Sequence, residues 1–108
     1  MSAKRTVLKS LPIPALPGWE FRVVKLEYPP GLSAPPHTHP VAAIGYVVRG
    51  EVISQWEGKE VERYTTGETF VDLGEELHVR AENASHEEPL VMLVSYVIKV
   101  GEPNVQLK

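Results

Sequence analysis

The apolar residues of this chain fall in short runs separated by turn residues, and no segment sustains apolar positions at helical spacing without a glycine or proline cutting it. Turn punctuation falls at Gly50, Gly58, Gly67, Gly74 and Asn83, at intervals of seven to nine residues. Between these points lie β-rich runs at Ala42–Val48, Glu51–Trp56, Glu60–Tyr64, Thr69–Leu73, Leu77–Arg80 and Leu90–Val100, and an earlier one at Trp19–Tyr28 ends at Pro29-Pro30-Gly31. That rhythm predicts an all-β, antiparallel sandwich or barrel. The proline-rich stretch Leu11–Gly18 reads as an extended arm on the outside. This divides the chain into an N-terminal arm over residues 1–18 and a single barrel over residues 19–108.

Two runs are apolar on both sides. In Val41–Val48, one face carries Val41, Ala43, Gly45 and Val47 in phase with His39, and the other carries Ala42, Ile44, Tyr46 and Val48. Leu90–Ile98 behaves the same way. A small barrel buries only its inner face, so the outer rows predict a covering sheet, most economically that of a second copy in a homodimer. Two sheets of one chain packing together would also cover them.

Composition narrows the function classes. With 108 residues the chain has room for one domain and one core. The formal net charge of -3 offers no basic surface for nucleic acid or an anionic membrane. There is no cysteine, which excludes disulfides and thiolate chemistry. The basic N-terminus lacks the apolar stretch of a secretion signal, so a cytoplasmic protein is expected, and Asn83-Ala84-Ser85 reads as a turn rather than a glycosylation site.

The candidate chemistry lies in Pro35-Pro36-His37-Thr38-His39-Pro40 and in His78, about forty residues further on. On an extended strand, His-x-His points both imidazoles to one side. A third imidazole from another strand would complete three nitrogen ligands for a divalent transition metal. His86, in the polar turn Ser85-His86-Glu87-Glu88, reads as an exposed residue. Trp19 and Trp56 read as core or interface aromatics. Asp72 is an acid inside the otherwise apolar run Phe70-Val71-Asp72-Leu73 and is the candidate catalytic residue. It can orient a histidine, act as a general base or ligate directly. Gln55 is a further candidate for the cavity.

Gly31-Leu32-Ser33-Ala34-Pro35-Pro36-His37-Thr38-His39, closed by Gly50, resembles the first motif of the cupin superfamily. Gly67 through His78, with Asn83 beyond, resembles the second. The resemblance covers roughly Glu20 to Lys99, and it implies a double-stranded β-helix, or jelly-roll barrel. It also implies a metal held by His37, His39 and His78. Three departures stand out. Ala43 occupies the place of the family's glutamate ligand. Leu73 replaces a proline, with Gly74 one place early relative to His78. Asn83 is one residue late.

Without the glutamate, the ligand set shrinks to three neutral imidazoles with open positions on the ion, and Ala43 and Gly45 leave space beside it. Such a centre resembles the three-histidine dioxygenases of the superfamily, acting on a small organic molecule. Iron, zinc, nickel, copper or manganese would all suit the imidazoles. A cupin that binds or senses a small ligand, and a non-redox isomerase, cyclase or lyase, are the alternatives.

Overall fold

The computed structural model describes residues 2–107. Ten strands form in chain order: β1 Lys4–Pro12, β2 Trp19–Tyr28, β3 His37–Thr38, β4 Ala43–Arg49, β5 Glu51–Trp56, β6 Glu62–Thr65, β7 Thr69–Asp72, β8 His78–Asn83, β9 Leu90–Lys99 and β10 Gln106–Leu107. They build two five-stranded sheets, ordered β1-β2-β9-β4-β7 and β10-β3-β8-β5-β6, and every strand pair is antiparallel. This is the expected double-stranded β-helix. Consecutive strands alternate between the sheets from β2 to β5, so residues far apart in sequence become lateral neighbours.

The alternation seen in the sequence decides what is buried. On β9, Leu90, Met92, Val94, Tyr96 and Ile98 face inward and are buried. On β2, Val24, Leu26 and Tyr28 do the same, and on β4 Ala43 and Val47. Together they form the core between the sheets. One charged pair shares this interior: Arg22 donates to Glu20 Oε2 from Nε at 2.8 Å and from Nη2 at 2.7 Å. Its Nη1 also reaches the Glu102 carbonyl, so the charge is buried with its hydrogen bonds made.

The outer rows of the β1-β2-β9-β4-β7 sheet are open. Ile44, Tyr46, Val48, Val71, Val97 and Phe21 are all exposed, so the second sheet of this chain does not cover them. Within residues 1–18, β1 runs beside β2 from Lys4↔Glu27 to Pro12↔Glu20 and forms the edge of that sheet. Asn83, expected as a turn, instead ends β8 and is buried. Its Nδ2 points at the carbonyls of Tyr28, Pro29 and Glu88, at 3.2, 3.2 and 2.8 Å, and so ties the start of one loop to the end of another.

Candidate metal centre

Three strand contacts assemble the site. β3 is only two residues long, yet its register places His37 directly opposite His78 of β8. A bulge between Gln55 and Trp56 then sets Trp56 of β5 beside His78. His39 lies just beyond β3. His37, His39 and His78 are all buried, and their ligand nitrogens lie within 4.8 Å of one another. The closest pair, His78 Nδ1 and His37 Nε2, is 3.3 Å apart, which is about the separation of two nitrogens that each bond one ion at ~2.1 Å.

Each ring has one nitrogen tied to the protein. His37 Nδ1 donates to the Pro35 carbonyl at 2.8 Å. His39 Nδ1 donates to the Asn104 carbonyl at 2.5 Å. His78 Nε2 lies 2.8 Å from Ser54 Oγ. The carbonyl contacts fix ring orientation and leave His37 Nε2 and His39 Nε2 as lone pairs for a metal, and Ser54, whose hydroxyl can donate as well as accept, orients the His78 ring and lets its Nδ1 present one too. For His39 the consequence is explicit: Nε2 is buried with no hydrogen-bond partner among the described residues. An orphaned buried acceptor is costly unless something electron-poor meets it. The donor set therefore fits a divalent ion.

Aromatic packing and an unusual turn support the rings. Trp56 stacks on His78 with centroids 3.9 Å apart and planes within 6°. The second departure from the cupin pattern takes physical form in the turn before β8. Glu75, not a glycine, adopts the left-handed conformation with φ 64°, and its amide donates to the His39 carbonyl at 2.7 Å. A side chain in that region costs about 1 kcal/mol or more relative to glycine. Glu75→Gly is therefore expected to raise stability by about 0.5–1 kcal/mol, read as a higher thermal midpoint, with no loss of metal affinity.

Protonation suits the site for cation binding. Burial holds the His37 and His39 imidazoles below the ordinary histidine value. Burial, helped by repulsion from His37 and His39, pushes His78 down to about 3. All three rings are neutral at pH 7 and need lose no proton to bind an ion. Burial acts oppositely on Asp72, raising it to about 6 against the pull of His37 and Arg5.

These shifts set the acid behaviour of the metal-free protein. The lowered histidines contribute stability that is fully present above the unfolded value of 6.5 and is lost as pH falls towards 3, because only the unfolded chain takes up the protons. Asp72 has the reverse sign: its contribution is present below 3.8 and lost as pH rises through 6. Three histidines outweigh one carboxylate. The midpoint of metal-free protein should fall by at least about 5 °C from pH 7 to pH 5 in calorimetry, and a flat profile would contradict the burial of the rings.

Asp72 lies at the site, with Oδ2 3.8 Å from His39 Nε2. Two other expectations fail. Gln55 does not face the cavity: its amide donates to the Lys59 carbonyl at 3.1 Å, and its neighbour Ser54 takes the inward position. Gly45 leaves no free space, because the Phe70 ring fills it; a Cβ there would sit 2.1 Å from Phe70 Cζ. His86 is exposed, as expected. Ser54 and Asn104 were not recognisable beforehand. Asn104 comes from the C-terminal segment and also binds the Val41 amide through Oδ1 at 3.1 Å.

The cavity around the rings has a free volume of about 30 Å³. Leu26, Val52, Phe70 and Met92 give it apolar walls, while Tyr28, Ser54, Asp72 and Arg5 add polar groups. Arg5 projects from β1 opposite the inward-facing Leu26, and no described carboxylate lies within ion-pair distance of it.

Comparison with known proteins agrees with this architecture. Residues 24–96 match the family model described as a cupin domain. No protein of curated function matches the sequence. Among solved structures, a cupin-like protein from Thermotoga maritima superposes with a TM-score of 0.71 at 20% identity, over 98% of this chain and 75% of that one. A DMSP lyase from Ruegeria pomeroyi gives 0.67 at 24% identity, over 82% of this chain and 43% of that one. A recombinant oxalate oxidase in complex with glycolate gives 0.70 at 24% identity, over 97% and 54%. This chain thus spans about half the length of the two enzymes, and likeness at such identities establishes the fold.

Proposed function

This chain belongs to the cupin family, and from that premise we propose that it is a metal-dependent enzyme of the dioxygenase type, acting on a small organic anion. The observation that carries the reading is the set of three buried, neutral imidazoles, each oriented by a contact at one nitrogen and turning the other to a shared centre. An iron ion bound there would supply open positions for dioxygen and for a substrate donor atom.

The chain's own residues do the rest. His37, His39 and His78 would hold the ion with no charge of their own and would leave its positive field in the cavity undiminished by them. Leu26, Val52, Phe70 and Met92 exclude bulk water, which strengthens electrostatic contacts inside. The small free volume confines exogenous ligands to the immediate surroundings of the three imidazoles. Arg5, on the edge strand, offers its guanidinium to a negatively charged group on that substrate. A lyase reading draws support from the fold shared with the DMSP lyase; the three imidazoles leave the choice to the metal and the substrate.

Oxygen uptake tests the proposal. Protein loaded with Fe(II) should consume dioxygen with a small carboxylate-bearing catechol, diketone or thiol. Arg5→Gln should raise KM for that substrate about tenfold while leaving KM for its amide unchanged. Product formed without oxygen uptake would replace the dioxygenase by the lyase reading. No turnover of any such compound by iron-loaded protein would count against an enzyme.

A further inference from the structure

The metal-ligand glutamate missing from the first motif has a counterpart on the neighbouring strand. Ala43, in the glutamate's place, lies directly opposite Asp72 in the antiparallel β4–β7 pair. Opposite residues of such a pair project to the same face with Cβ atoms about 4.5–5.5 Å apart. Here that face is the barrel interior: Ala43 is buried, and Asp72 is 9% exposed. The carboxylate absent at position 43 thus reappears one strand away, on a side chain short enough for the space that Ala43 leaves.

The surroundings of Asp72 call for a cation. The carboxylate is largely buried and accepts no hydrogen bond from the described side chains, a setting in which a nearby cation favours the ionised form. Its Oδ2 instead faces His39 Nε2 at 3.8 Å, which is too long for a hydrogen bond. The geometry leaves no proton to share: His39 Nδ1 carries the hydrogen donated to Asn104, so Nε2 presents a lone pair. Two lone pairs therefore converge across a gap that one ion bonded to both at ~2.1 Å can span, while the carboxylate lies outside the cluster of three imidazole nitrogens and has to turn towards it to share the ion.

We propose that Asp72 is the fourth protein ligand of the centre, the carboxylate having moved from β4 to β7. This rests on the metal-centre reading above. It also gives the small residue at position 43 a reason: a longer side chain there would compete with Asp72 for the same coordination position. Three imidazoles and one carboxylate leave two positions of an octahedral ion for exogenous ligands.

The test uses Co(II), with affinity read by competition against a chelator and geometry read from the visible absorption bands. Asp72→Ala and the near-isosteric Asp72→Asn should each weaken Co(II) binding by about a hundredfold and shift the bands. Adding Ala43→Glu to Asp72→Ala should return the affinity to within about tenfold of the parent and restore the band positions. Unchanged affinity and bands in Asp72→Ala would overturn the assignment. So would weakened affinity with unmoved bands, because that marks a positioning residue rather than a ligand. Wild-type protein that takes up no Co(II) would instead refute the metal centre itself.

Discussion

Replacing His37 and His39 together by alanine is expected to abolish stoichiometric metal binding while the barrel stays folded. Structural zinc sites with four protein ligands bind with about 10–16 kcal/mol, so two lost ligands should remove several kcal/mol, a loss of at least a thousandfold. The fold should survive because the core cluster, built on Val24, Val47, Leu90 and Ile98, contains neither histidine. Thermal melts separate the two effects. An ion at a thousandfold excess over its dissociation constant stabilises by about 4 kcal/mol, which raises the midpoint of a domain this size by about 15 °C or more. The wild type should show that rise, and the double variant should melt at one temperature with and without metal. Full metal occupancy in the double variant would show that the ligands are assigned wrongly.

Trp56→Ala should produce the largest loss of stability. The indole is buried between the sheets and lies flat on His78, with 6° between the ring planes. Truncating a buried tryptophan costs about 3–5 kcal/mol, a fall of about 15–30 °C in the midpoint for a domain of this length. The variant should also bind metal about 10–100-fold more weakly, since the Ser54 contact alone then orients the His78 ring. Trp56→Phe keeps a flat ring at the site and should lose less on both measures. If Trp56→Ala lost stability but bound metal as tightly as the wild type, the stack would serve the core alone, with the Ser54 contact sufficing to orient His78.

The parts of this structure that follow local rules were readable in the sequence. The runs Trp19–Tyr28 and Glu51–Trp56 match β2 and β5 end to end, because turn residues bound them and alternation sets their faces. The inward parity of Ala43 and Val47 and the exposure of Ile44 and Tyr46 follow from the same period of two. β3 and β10, at two residues each, carry no periodicity to detect. β1 depends on a partner strand rather than on its own pattern: most of its residues are exposed, and the register with β2 gives it its place.

The site was legible only as far as its ligands. The spacing of His37, His39 and His78, read with the motifs around them, located the cluster. Ser54, Asn104 and the pairing of Ala43 with Asp72 depend on contacts between remote segments, and no local signal marks them. Gln55 failed for a related reason: parity could not be carried across the turn at Gly50, and the inward position went to Ser54. Glu75 shows the complementary case. The displaced glycine is visible as a departure from the motif, but its outcome, a glutamate in left-handed backbone bonded to the His39 carbonyl, depends on a contact between two remote turns.

The most direct test of the metal centre is a crystal structure of metal-loaded protein with anomalous data collected across the absorption edge of the bound ion. The expected result is a single anomalous peak about 2.1 Å from one nitrogen each of His37, His39 and His78. An absent peak, or one that misses any of the three imidazoles, would contradict it.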